Sequence, residues 1–252
     1  MIANLSFNGK SYLANLHEPL DISLPIREGE NNPNCYWAES VKFETIKAGN
    51  FIGSVKDGGS VNYQKLTITP HGNGTHTECY GHISDDGATV NQSLKHFHFI
   101  AELVSVEPKE SASGDMTITK EMLVEKITVP EARALVMRTL PNFESKKTKQ
   151  YSGTNPPYVE AGAIEYLVEL GIQHMIIDLP SLDKEIDEGK LSAHRAFWKF
   201  PQETRNHTTI TELIYVPDYI PDGLYLLNLQ IVSLEMDASP SKPVLYKLKE
   251  VL

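Results

Sequence analysis

Between Thr69 and His82 the chain reads Thr-Pro-His-Gly-Asn-Gly-Thr-His-Thr-Glu-Cys-Tyr-Gly-His. Imidazoles at 71, 76 and 82 and a carboxylate at 78 fall within twelve residues. That donor set suits zinc, manganese or iron. His76 and Glu78 are two apart, so an extended backbone points both to one side. The glycines at 72, 74 and 81 allow tight turns and close approach of a ligand to the backbone. Histidines beside glycines also serve as plain turn residues. The density of donors after a strand favours a metal or polar catalytic site.

Two later segments add groups of the same kind. Glu212 sits in Thr209-Ile210-Thr211-Glu212-Leu213-Ile214, a β-branched run in which a carboxylate needs a cation or a hydrogen-bond partner if buried. His194, in Ser192-Ala193-His194-Arg195-Ala196, reads either as a helix-start histidine or as a ligand. Asp178, Ser181 and Asp183 follow an apolar strand, where turn formation explains them as well as binding does. Cys79 inside the motif offers a thiol nucleophile with His76 or His82 as base. Tyr36, Trp37, Tyr80, Phe97, Tyr158 and Trp198 are candidates to line an aromatic pocket. His96 and His98 flank Phe97 and fit a half-buried strand or loop. No Walker-type phosphate loop and no Gly-x-Ser-x-Gly elbow is present.

The stretch from Gly72 to His82 resembles the metal-dependent cyclase family, which includes bacterial kynurenine formamidase and isatin hydrolase. The family pattern is His-x-Gly-Thr-His-x-Asp-x-Pro-x-His, matched at Gly74, Thr75, His76 and His82. Gly72 stands where the family has histidine, with His71 one residue earlier. Glu78 stands for its aspartate and Tyr80 for its proline. The segments at Asp178–Asp183, Ser192–Ala196, Glu212 and Asp237–Pro243 resemble later parts of the family in order, so the likeness runs from about residue 65 onward.

The resemblance implies metal ligands at His76, Glu78, His194 and Glu212, with His71 as a further candidate. It implies His82 as acid/base and Glu212 as a group serving both ligation and catalysis. A divalent ion, zinc or manganese, one or two per chain, would activate water for attack on an amide carbonyl. The expected substrate is a small, possibly aromatic formamide or cyclic amide. The alternative is a non-catalytic small-molecule-binding member of the same fold that has lost metal ligands. The resemblance also implies a swivelling β/β/α fold and a homo-oligomer, dimer or tetramer.

Stepping from the donors to their scaffold, buried strands are expected at 101–106, 134–139 and 174–179. An alternating one is expected at 65–69. Longer strand-like stretches run over 208–216 and 224–234. Helices are expected at 119–127 and 159–170, the second stopped by Gly171. A helix leading straight into a strand is α/β grammar. The fold class is therefore α/β with a mixed sheet, and 252 residues are read as a single domain spanning 1–252. The first 60 residues carry no placeable signal. A net charge of -10 argues against nucleic acid and anionic membrane as partners. Two cysteines are too few for a disulfide framework. The first eight residues show no leader pattern and no apolar run reaches membrane-spanning length, so the expected compartment is the cytoplasm.

Overall fold

The computed structural model describes residues 1–251. One large mixed sheet runs through it. Its main strands are β1 (Ile2–Phe7), β2 (Lys10–Asn15), β3 (His76–Glu78), β4 (His98–Val106), β5 (Ala134–Thr139), β6 (His174–Ile177), β7 (Thr209–Glu212), β8 (Gly223–Ile231) and β9 (Ala238–Val251), and the two-residue strand Leu20–Asp21 pairs with β9. The order is β1-β2-β9-β8-β4-β5-β6-β7-β3, and β3 also pairs with the start of β9. That pairing closes seven strands, β3 to β9, into a barrel, and β1 and β2 extend from β9 outside it.

Strands β4 to β7 run parallel. Parallel strands are covered on both faces and need near-continuous apolar runs. Every residue of β5, β6 and β7 is buried. Alternate side chains divide between two cores. Leu103, Val136, Ile176, Leu227 and Leu245 fill the barrel. Val104, Leu135, Met137 and Met175 face outward, against helices α1 (Lys120–Lys126), α2 (Ala161–Glu169) and α3 (Ser192–Trp198).

The expected stretch 208–216 is shorter than its composition suggests. Leu213 takes a left-handed φ of 55°, so the strand stops at Glu212. The first 60 residues are ordered as well. Asn8-Gly9, both with positive φ, turns β1 into β2, the tight hairpin that this dipeptide favours. Residues Lys42 to Thr67 form two small hairpins that pair with no strand of the main sheet.

Candidate metal centre

Strand β3 brings the motif to the C-terminal ends of the parallel strands, where open α/β sheets commonly bind ligands. It lies between β7 and β9. In register, His76 stands opposite Glu212, and Glu78 opposite Ile210 on one side and Ala238 on the other. Cross-strand pairing thus joins residues 136 positions apart, which no local spacing reveals. His76, Glu78, His194 and Glu212 are all buried. His71 and His82 sit at the rim, with side chains 24% and 31% exposed.

Each of three histidines has one ring nitrogen tied outward and the other aimed inward. His76 Nδ1 lies 3.0 Å from the Gly74 carbonyl, and its Nε2 lies 3.4 Å from Glu212 Oε2. His194 Nδ1 lies 2.6 Å from Asp183 Oδ2, and its Nε2 lies 3.0 Å from Glu78 Oε1 and 3.7 Å from Glu212 Oε1. His71 Nε2 lies 2.9 Å from Asp237 Oδ2, and its Nδ1 lies 3.1 Å from Glu78 Oε2. An outer oxygen acceptor that fixes the tautomer is the usual support of a metal-ligating histidine.

Asp183 has a second task. Helix α3 starts at the left-handed Leu191 with no side-chain cap of its own. The Asp183 carboxylate accepts instead from the Ala193 and His194 backbone N–H groups, at 2.7 and 3.0 Å. It therefore fixes both the helix start and the ring of His194. Burial pushes its carboxyl up, but His194 and these amides outweigh that and hold it below the ordinary carboxylate range.

Two buried polar atoms have no hydrogen-bond partner here, His76 Nε2 and Glu78 Oε2. The outward proton on Nδ1 leaves His76 Nε2 a lone pair, which faces a carboxylate oxygen. Two acceptors in a dry site are costly unless a cation lies between them. Burial alone would raise the Glu78 carboxyl. The charges and hydrogen bonds of His82, His194 and His71 outweigh it and hold Glu78 well below its ordinary value. Burial likewise opposes charge on His71, yet Asp237 and Glu78 raise it to about 10. The donors converge as a metal centre requires: His71, His76 and Glu78 place ligand atoms within 4.8 Å of one another, and so do Glu78, His82 and His194. These clusters, with Glu212 Oε2 3.4 Å from His76 Nε2, offer the nitrogen and oxygen donors that suit a divalent ion.

Position 72 explains the departure in the motif. A Cβ on Gly72 would lie 2.3 Å from the Ala38 Cβ, so no histidine fits there without moving that loop. Pro70–Asn73 forms a single helical turn that turns His71 into the site instead.

The sequence reading missed Asp237 as a site residue. It immediately precedes β9, and the Cys79 N–H donates to its carbonyl at 3.0 Å. Its carboxylate accepts from His71 Nε2 and stands 3.2 Å from His82 Nδ1. The hydrogen bonds of His71 and His82 hold it below the ordinary carboxylate range. The signal in the sequence was its place at the head of the Asp237–Pro243 segment that resembles the family's closing part.

Other candidates fall elsewhere. Asp178 turns away, accepting from Thr139 and from Lys146 at 2.8 Å. Cys79 is buried, its thiol pushed up by that burial, and its sulfur accepts from the Gly81 N–H, which is poor preparation for a nucleophile. Of the six aromatic candidates, Tyr36 alone lines the cleft of about 300 Å³ over the site, beside His71, His82 and His194. Trp198 is buried against the His194 ring, centroids 5.4 Å apart. His96 lies at the far end of the strands with His174.

The model of the Cyclase family matches residues 20–184. The kynurenine formamidase of Bacillus anthracis is 26% identical over 228 residues, which is 90% of this chain and 96% of that protein. An isatin hydrolase solved with the product analogue thioisatinate superposes with a TM-score of 0.63 at 18% identity, over 92% of this chain and 93% of that one. A predicted metal-dependent hydrolase from Bacillus stearothermophilus superposes at 0.63 and 20% identity, over 91% and 98%.

Proposed function

The chain belongs to the cyclase family, and on that premise we propose that it is a metal-dependent hydrolase of a carbon–nitrogen amide bond. The observation that carries this reading is the convergence of three outward-anchored histidines on two buried glutamates, with two donor atoms left unpaired. The names of the related kynurenine formamidases and isatin hydrolase point the same way and favour a formamide or cyclic amide of a small aromatic molecule as substrate.

His71, His76, Glu78, His194 and Glu212 hold the ion, with zinc or manganese favoured by this nitrogen and oxygen set. When bound, such an ion supplies Lewis acidity and makes water nucleophilic near neutral pH. The chain supplies the rest. His82 lines the cleft with its Nδ1 committed to Asp237. Its Nε2 is left to take up the proton of the attacking water and pass it to the departing nitrogen. Leu182 N–H donates to Glu212 at 3.1 Å, and the surrounding histidines hold the Glu78 carboxyl well below its ordinary value, which keeps Glu78 charged.

Among the described residues no helix is long and apolar enough to cross a membrane, and we place the protein in the cytoplasm. Exposed Phe51, Val61, Tyr63 and Leu66 on the 42–67 hairpins support a homo-oligomer.

Formate release from formanilide by protein reconstituted with zinc or manganese tests the proposal. Turnover that stops on chelation, and falls about 10²–10⁴-fold in His82→Ala with metal retained, is the expected result. A fully active His82→Ala protein removes the role assigned to that residue.

A further inference from the structure

Tyr36 and Trp37 both have left-handed backbone, φ 54° and 52°. Consecutive residues with a Cβ are strained there and persist only where their surroundings hold them. Burial of Trp37 is not what holds them, since Trp37 is 70% exposed. Hydrogen bonds do. Asn34 Nδ2 donates to the Ala38 carbonyl at 2.7 Å, and the Trp37 N–H donates to Ser152 Oγ at 2.9 Å. The Cys35 N–H donates to the Gly72 carbonyl at 3.0 Å. The loop is thus fastened to the same turn that delivers His71, and it lies on the face where Gly72 has no Cβ.

The strained loop delivers one side chain to the site. Tyr36 is 43% exposed as a residue, yet it lines the cleft over the site beside His71, Ser181, His194 and Glu212. A phenol is protonated at neutral pH, so its hydroxyl is a hydrogen-bond donor there. Several other side chains of the cleft already have carboxylate partners. His71 and His82 face Asp237, His194 faces Asp183, and Lys184 is paired with Asp115 at 2.7 Å.

We propose that Tyr36 is an oxyanion donor of this site: its hydroxyl hydrogen-bonds the carbonyl oxygen of the bound amide as negative charge gathers on it. Gly72 is the counterpart that admits the loop. Preorganised donors aimed at a developing charge are among the strongest contributions to catalysis. A side chain at position 72 would meet Ala38 and the Cys35 carbonyl, so glycine there and the loop that carries Tyr36 go together. This inference rests on the amide-hydrolase reading above.

The test compares zinc-loaded parent protein with Tyr36→Phe, measuring metal per chain, melting temperature, affinity for benzohydroxamate, and kcat and KM on formanilide. Tyr36→Phe removes one oxygen. It is expected to keep metal and melting temperature, lose about 10–100-fold in kcat with KM little changed, and bind benzohydroxamate about tenfold more weakly. Unchanged kcat together with unchanged hydroxamate affinity overturns the proposal. Weakened hydroxamate binding in the variant, with no amide cleaved by the parent, overturns the substrate reading and keeps Tyr36 as a donor. A parent protein that takes up no zinc overturns both.

Discussion

The two ends of the parallel strands treat a buried histidine in opposite ways. At the N-terminal end, His174 opens β6, with Nδ1 2.9 Å from Thr209 Oγ1 and its ring against Phe99. Burial lowers it to about 3, and Arg205 and His96 add to the effect, so it is neutral. At the C-terminal end, His194 is buried as deeply. Burial again opposes charge, but Asp183, Glu78 and Glu212 overcome it and raise His194 well above its ordinary value. Burial therefore does not distinguish a core histidine from a site histidine. The carboxylates around it do, because they turn the same ring into a cation or a ligand.

Changing the two anchors breaks the comparison most strongly. Asp183→Asn is expected to weaken metal affinity by about 10–100-fold, the usual loss for an outer-shell partner of a ligating histidine. Thr209→Val, at the other end, is expected to leave metal affinity unchanged and to cost about 1–3 kcal/mol of stability by orphaning His174 Nδ1. Competition titration and denaturant unfolding read the two effects.

Proton counting sharpens it. His71 is raised to about 10, so its ring is charged in the metal-free protein at pH 8, and His194 is shifted in the same direction. Metal must displace the proton on a ligating nitrogen, so protons are released as the site fills and affinity rises with pH. Calorimetry in buffers of different ionisation enthalpy counts them.

Acid stability tests the other end of the strands. His174 has a folded value near 3 against an ordinary 6.5. Between those pH values the unfolded chain binds a proton that the folded chain does not, so stability falls as pH falls through that window. The slope from this one group is at most about 1.4 kcal/mol per pH unit. His174→Gln should flatten unfolding free energy measured from pH 7 to pH 4.

What the sequence revealed follows from locality. Buried strands β5 and β6 were legible because parallel strands need continuous apolar runs, and His76 and Glu78 because alternation is local. Two of the three outer anchors were not. Asp183 reads as a turn former until helix α3 is seen to start on its carboxylate, and Asp237 reads as part of a closing segment until β9 pairs with β3. Tyr36 was one of six aromatics, since left-handed φ at a non-glycine residue leaves no mark in composition. The β1–β2 hairpin, by contrast, is written locally in the Asn8-Gly9 dipeptide.

Metal content is the most direct test of the central claim, that histidines and glutamates from distant segments form one metal centre. It is measured per chain on untagged protein, beside His76→Ala, His194→Ala and His174→Ala. The account predicts about one or two equivalents of zinc or manganese in the parent and in His174→Ala, and none in the other two. A parent that takes up no metal when supplied with both ions, or a His194→Ala protein that binds as well as the parent, contradicts it.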